Sequence, residues 1–290
     1  MQHILEILTD AVLAGGASVA DVRRTRPIVA TYKDRTELVT EADRQSDAAI
    51  LSVFRERFPG IDSTISFHLE ESGVSGVLGA RRVGADPLDG TSHFASGGNF
   101  YAVQAHYIED GVPMIGVVFQ PEVFLPLSET PHCMGRLASA IRGGGAFVSR
   151  SEFNGTGFSL GEKRKIVARP EPDTRAFVSC VPVTGKMTDA EKARARRVHA
   201  SGLIGAATGV GCAGGNVMMV LFGGQDVYAN FGSGDDLDLV PPQVIAEEAG
   251  LTVWGPDRRS PIWHVRKQAF IVAPSPRIAE MFLSAAGPLD

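Results

Sequence analysis

Apolar residues near the start of the chain fall at Ile4, Leu5, Leu8, Val12 and Leu13, the spacing of one helical face. Gly15-Gly16 interrupts the pattern, which predicts a helix over residues 2–14. A second helical face, Ala48, Ile50, Leu51, Val53, Phe54 and Phe58, follows Thr40. That threonine is placed to cap it, with Glu41 and Asp43 in the first turn and Pro59-Gly60 at the end. Alternation then replaces helical spacing. Ser63 to Leu69 reads as a strand that delivers Glu70-Glu71-Ser72 to its end. The β-rich runs Asn99 to Tyr107 and Val112 to Phe119 flank Ile108-Glu109-Asp110-Gly111 as a hairpin. Strand character continues through Leu125 to Leu127 and Ala146 to Val148, and the polar stretch 149–175 reads as a connection.

The remainder alternates between the two periods. Strands are predicted over Ala176 to Val181, from Leu203, around Asp226 to Phe231 and near Ala269 to Val272. Helices are predicted near Thr188 to His199, Asn216 to Phe222, Leu239 to Gly250 and Ser275 to Ala285. Pro241-Pro242 fit the third of these helices only if they stand in its first turn. A sheet-dominated half over residues 1–155 and an α/β half over 156–290 are expected.

Composition narrows the partners. A formal net charge of −5 offers no broad basic field, so no nucleic acid polymer is expected. The uncharged span Ser201 to Gln225 is long enough to cross a bilayer, yet its many glycines make it too weakly hydrophobic, and no membrane partner is expected. The first ten residues have acids within their apolar run and no basic leader, which reads as a helix of a cytoplasmic protein. Cys133, Cys180 and Cys212 form no C-x-x-C pair and read as small buried hydrophobes.

The chemistry centres on Asp86-Pro87-Leu88-Asp89-Gly90-Thr91, which reads as a tight turn after an apolar approach. Further acids, Asp43, Glu70 and Asp238, stand at the ends of predicted elements. Converging carboxylate and carbonyl oxygens suit hard divalent cations, and magnesium keeps waters while sharing phosphate oxygens. Two such ions suit phosphoester hydrolysis. Bland readings stand beside this one: Asp43 as a helix cap, Glu70-Glu71 and Asp235-Asp236 as solvated loop acids, and His68 as a packed or surface histidine. Gly209-Val210-Gly211-Cys212-Ala213-Gly214 is a literal G-x-G-x-x-G, which makes an NAD-dependent oxidoreductase one alternative. A non-catalytic metal- or phosphate-binding protein is another.

In one consistent order the chain carries Leu38-Val39-Thr40-Glu41-Ala42-Asp43, Glu70-Glu71-Ser72, Asp86 to Thr91, Gly116-Val117-Val118, Gly144-Gly145-Ala146-Phe147, and Asp238 followed by Glu248-Ala249-Gly250. This set resembles the inositol monophosphatase-like, lithium-sensitive phosphatase superfamily, which includes fructose-1,6-bisphosphatases and 3′-phosphoadenosine 5′-phosphate phosphatases. The resemblance implies a mixed α+β and α/β fold, a layered αβαβα sandwich. It also implies a Mg-dependent phosphomonoesterase of a small hydroxylated phosphate (an inositol or other polyol, a sugar or a nucleotide), with a 3′(2′),5′-bisphosphate nucleotidase as the branch alternative. A homodimer and two to three Mg2+ per site come with it. Residue by residue, Glu70, Asp86 and the Leu88 carbonyl would hold one ion, Asp86, Asp89 and Asp238 a second, and Glu70 with water a weaker third. Thr91, oriented through Asp43, would position the attacking water. Gly90, Thr91 and Ser92 would bind phosphate, while Gly211, Cys212, Asn230, Phe231 and Asp235 would meet the substrate. Departures are also visible. Leu237 stands where the family has Trp, Val240-Pro241-Pro242 where it has small residues, and His93 where it has Asn. The sugar-contacting carboxylate falls at Asn230 or Phe231.

Overall fold

The computed structural model describes residues 1–32, 38–59, 64–75, 79–125, 133–264 and 267–288. Helix α1 (Gln2–Thr25) passes through Gly15-Gly16 rather than stopping there. The two glycines mark close approach: a Cβ on Gly15 would lie 2.6 Å from Ser46 Oγ, and one on Gly16 2.3 Å from the Phe119 ring. Burial of Ile7, Leu8, Ala11, Val12 and Val19 carries the helix across them against a propensity cost of about 1 kcal/mol each. By length and composition α1 would suit a membrane, but this apolar face lies in the core.

Strands β1 (Ala30–Tyr32) and β2 (Leu38–Thr40) pair antiparallel. Helix α2 (Glu41–Arg57) then opens on the predicted cap, with Thr40 and Asp43 forming a capping box. Strands β3 (Ser66–Leu69) and β4 (Gly73–Ser75) fold back around Glu70-Glu71-Ser72, and β5 (Arg81–Asp89) lies parallel to β3. The short helix α3 (Thr91–Ala95) is followed by β6 (Ala102–Glu109), β7 (Val112–Leu125), β8 (Met134–Ile141), β9 (Gly145–Phe153), β10 (Phe158–Leu160) and β11 (Arg164–Ile166). The predicted β6–β7 hairpin turns on Asp110 at φ 49 and Gly111 at φ 79. These strands form a nine-stranded sheet, in the order β10-β9-β8-β7-β6-β5-β3-β4 with β11 also on β9. The sheet thus continues into the polar stretch 149–175. Gly60, Ser63 and Leu127 lie outside the described residues.

A second, five-stranded sheet has the order β13-β12-β14-β16-β15. In the chain β12 (Phe177–Cys180) precedes helix α4 (Asp189–Ala200) and β13 (Ile204–Ala207). Helix α5 (Ala213–Phe222), β14 (Val227–Asp235) and helix α6 (Asp236–Ala249) follow, then β15 (Thr252–Trp254), β16 (Lys267–Ala273) and helix α7 (Pro276–Ala286). Helix α6 starts earlier than expected, so Pro241 and Pro242 stand in its body and not its first turn. It survives because it is packed between the sheets, against β5 to β9 on one side and β14 and β15 on the other.

The layers are α1 and α2, the first sheet, α5 and α6, the second sheet, then α4 and α7, the αβαβα sandwich expected. Each interface has its own apolar cluster: Ile7, Phe54 and Phe119 beneath α1 and α2, Val217, Val240 and Trp263 between the sheets, Phe177, Val198 and Phe282 beneath α4 and α7. Strands β5 and β6 are covered on both faces and buried almost throughout, so they carry no polar alternation.

Candidate active site

Asp86-Pro87-Leu88-Asp89 is the end of β5 and not a tight turn; only Gly90, at φ 97, reverses the chain. The pairing with β6 slips here, Asp86 opposing Gln104 and Asp89 opposing Ala102, so one extra residue is accommodated on β5. In an unbroken strand residues three apart face opposite sides; the bulge brings both carboxylates to one side. Pro87 sits where no ladder donor is required.

Three residues on one face of α2 hold the loops around this strand end. Asp43 Oδ2 accepts the Thr40 amide at 2.7 Å, while Oδ1 accepts the Thr91 hydroxyl at 2.8 Å. Capping and site building are therefore one function for Asp43, served by separate oxygens. Ser46 donates to the Pro87 carbonyl at 2.8 Å. Asp47 accepts the amides of Glu71 at 3.2 Å and Ser72 at 3.3 Å, and the Ser72 hydroxyl as well. Sequence reasoning missed Ser46 and Asp47. Their signal was the spacing of three and four from Asp43, which places them on the same helical face.

The second half of the chain grips Asp89. Its Oδ1 accepts from the Ala213 amide at 3.0 Å, and Oδ2 from the Gly214 amide at 2.7 Å and Cys212 Sγ at 3.0 Å; from the first half, Gln104 Nε2 also donates to Oδ2, at 3.3 Å. The amides that open α5, those of the G-x-G-x-x-G stretch, are thus committed to a carboxylate of the chain itself, where a pyrophosphate would sit in a dinucleotide-binding protein. Cys212 is buried, as expected of a small hydrophobe, but it also bonds Asp89 and caps α5 by accepting from the Gly215 amide at 3.1 Å.

Asp238 projects from the first turn of α6, and ligand oxygens of Asp86, Asp89 and Asp238 lie within 4.8 Å of one another. Burial, then repulsion from Glu70, Asp89 and Asp238, holds Asp86 well above the usual carboxylate range. Burial and the charges of Asp89 and Glu70 do the same to Asp238. Burial lifts Asp89 to about 6, moderated by its Cys212, Gly214 and Ala213 donors. The buried Asp86 and Asp89 carboxylates and the half-buried Asp238 form a crowded hard-oxygen donor set of the kind a divalent cation neutralises.

These acids stand at one end of a cavity of about 1040 Å³. Glu70, exposed at the tip of the β3–β4 loop, shares that end with the Leu88 backbone and with Gly90, Thr91 and Ser92. Gly211, Cys212, Asn230 and Asp235 line the same cavity. Phe231 does not: it is buried in the third cluster with the Arg194 guanidinium 5.2 Å from its ring, because neighbouring residues of β14 face opposite sides and Asn230 takes the cavity side. Asp235 and Asp236 are not solvated loop acids. Asp235 caps α6, accepting the Leu237 amide at 3.2 Å. Asp236 is fully buried, 3.6 Å from Arg82 and 3.7 Å from His68, whose positive and protonatable groups make that burial tolerable.

A model of the inositol monophosphatase family matches residues 1–288. The chain belongs to the inositol monophosphatase family. An inositol-1-monophosphatase of Synechocystis is 38% identical over 122 residues, 42% of this chain and 41% of that protein. A chloroplastic phosphatase of Arabidopsis thaliana is 35% identical over 153 residues, 51% of this chain and 37% of its own length. The chain therefore spans less than half the length of these two relatives. Among solved structures, the Thermotoga maritima IMPase superposes with a TM-score of 0.72 at 20% identity, covering 99% of this chain and 97% of its own. Two of the family motifs prove to be a clasp remote from the acids: Glu248 accepts the amides of Gly143 at 2.7 Å and Gly145 at 2.8 Å.

Metal dependence is a property of this family, and the acid cluster fits it. The raised carboxyl pKa values carry a stability consequence. The unfolded chain releases these protons first, so the metal-free fold loses stability as pH rises from the ordinary carboxylate value through about 6 for Asp89, and further for Asp86 and Asp238. A divalent cation relieves that repulsion where protons no longer do. Differential scanning fluorimetry of EDTA-stripped protein is expected to show a larger Tm gain on adding Mg2+ or Mn2+ at about pH 8 than at about pH 5. An equal gain at both would contradict it.

Proposed function

We propose that the protein is a Mg-dependent phosphomonoesterase of a small hydroxylated phosphate. The observation that carries the reading is the convergence of Asp86, Asp89 and Asp238 at the mouth of α5 and α6, beside the Thr91–Asp43 hydrogen bond. Glu70, Asp86 and the Leu88 carbonyl are assigned to one Mg2+, Asp86, Asp89 and Asp238 to a second, with a weaker third beside Glu70. Bound there, Mg2+ supplies positive charge to the phosphoryl oxygens and lowers the pKa of water. The chain's own groups do the rest. Thr91 Oγ1 takes a proton from the attacking water as its own passes to Asp43 Oδ1, 2.8 Å away. The backbone amides of Gly90, Thr91 and Ser92 hold phosphate oxygens, and Gly211, Cys212, Asn230 and Asp235 face the leaving alcohol. Residues 1–155 thus supply most metal ligands, and 156–290 supply Asp238 and the substrate wall. A cytoplasmic homodimer inhibited by lithium belongs to the same proposal and rests on the sequence reading alone.

An amide at Asn230 in place of a carboxylate weakens the case for inositol and keeps the bisphosphate nucleotidase branch in view. Phosphate release from polyol, sugar, histidinol and nucleotide phosphates, with Mg2+ and with EDTA, tests the proposal. Turnover that requires Mg2+ on at least one class is expected. Metal binding without turnover on any would point to a binding protein, and hydride transfer with NAD(H) in the absence of metal to an oxidoreductase.

A further inference from the structure

We infer that Gln104 is a positioning residue that sets the separation of Asp89 and Asp238, a role that rests on the metal-dependent reading above. Gln104 is fully buried on β6, directly opposite Asp86 across the β5–β6 pairing. Its Nε2 donates to Asp89 Oδ2 and to the backbone carbonyl of Asp238, each at 3.3 Å. One amide group therefore touches two of the three clustered acids, one from each half of the chain, and faces the third.

The Asp238 carbonyl needs this donor because of the prolines in α6. An α-helical carbonyl is bonded by the N–H four residues on, or three residues on in a tightened turn. For Asp238 those residues are Pro242 and Pro241, and neither has an N–H. Pairing the prolines after Asp238 strips its carbonyl of both local donors, and Gln104 provides one from the facing sheet. The orientation of the amide follows from its neighbours: with Oε1 and Nε2 exchanged, an oxygen would face a carboxylate and a carbonyl, both acceptors. Gln104 Oε1 is instead buried without a hydrogen-bond partner, a cost the core carries to aim the NH2 at the two aspartates. Gln104 thus ties Asp89 on the first sheet to the start of α6, and the Pro241-Pro242 pair makes that tie necessary.

The test is a double-mutant cycle read by Mn2+ binding, using calorimetry and the electron paramagnetic resonance of free Mn2+ on the full chain. Gln104→Leu removes the donor at similar volume and is expected to weaken Mn2+ binding about 10–100-fold, the usual effect of losing a group that orients a ligand. Pro242→Ala restores a helical N–H to the Asp238 carbonyl. In that background the Gln104→Leu loss is expected to shrink by several-fold, since only the Asp89 contact is then missing. Gln104→Met gives a second side chain without a donor should Gln104→Leu not fold, and thermal melts confirm folding in each case. Wild-type Mn2+ affinity in either Gln104 variant, or an equal loss in both proline backgrounds, overturns the inference while leaving the metal-dependent reading intact. A wild-type protein that binds no Mn2+ overturns both. Mn2+ binding with the expected coupling but no phosphate release from any substrate sinks only the proposed activity.

Discussion

Asp86→Asn is expected to lower kcat by about 1000-fold or more and, in the same molecule, to raise the melting temperature of the metal-free protein at neutral pH. The two effects share one cause. Asp86 is buried among Glu70, Asp89 and Asp238, and each of these pushes its carboxyl toward the protonated form. Removing its charge relieves a repulsion that the metal-free fold must otherwise contain. The same charge is shared by both proposed ion positions, and the lost transition-state stabilisation, several kcal/mol, corresponds to a thousandfold or more. Asn keeps an oxygen for the Leu88 amide, which Asp86 Oδ1 accepts at 2.8 Å, so the bulge should persist. Asp89→Asn is expected to cost as much activity without the gain in stability. Its Oδ2 faces three donors, and an NH2 there would confront all of them. Steady-state phosphate release paired with melts in EDTA checks both variants. An active Asp86→Asn would remove the acid cluster from the mechanism.

Thr91→Val carries the second large expectation, a fall in kcat of about 100- to 10,000-fold with little change in KM, the range for a lost proton-transfer group. Valine keeps the shape of threonine and removes only the hydroxyl. That hydroxyl reaches Asp43 Oδ1 at 2.8 Å and the Leu88 carbonyl at 3.0 Å. Its single proton is committed to these acceptors, which leaves its lone pairs toward the cavity. Thr91→Ser should keep most of the activity. Asp43→Asn separates the chemistry from the capping: it disturbs the Thr91 contact and also the Oδ2 bonds to the Thr40 amide and hydroxyl. It is expected to lose activity and, unlike Thr91→Val, about 0.5–2 kcal/mol of stability as well. Equal kcat in Thr91→Val and wild type would exclude the hydroxyl from proton transfer.

Helix α2 is the common support for both results. Its Asp43, Ser46 and Asp47 reach Thr91, Pro87 and the Glu71-Ser72 amides in turn, so one rigid helical face sets the relative positions of three loops. The second half answers with the amide end of α5 on Asp89 and the first turn of α6 carrying Asp238. The candidate site is the place where these two supports meet, and Gln104 spans the gap between them.

Local signals were sufficient for much of this. The cap at Thr40, the Asp110-Gly111 hairpin and the helical and strand periods act over a few residues, and the sequence by itself determined them. The family motifs likewise marked Asp43, Glu70, Asp86, Asp89 and Asp238 as one set before any contact was visible. What tertiary structure decided are the features whose cause lies in a distant element. Gly15-Gly16 continue α1 because Ser46 and Phe119 press against it. Asp86 and Asp89 share a side because β6 pairs one residue short. Asp236 is buried because Arg82 and His68 come from the other sheet to meet it, and Phe231 is lost to the core because Asn230 takes the cavity face. The paired prolines of α6, which as sequence spoke against a helix, are tolerated because the layers on either side hold it and Gln104 supplies the donor that Asp238 lacks. Local propensity is a matter of about 1 kcal/mol per residue, and burial between two sheets outweighs it.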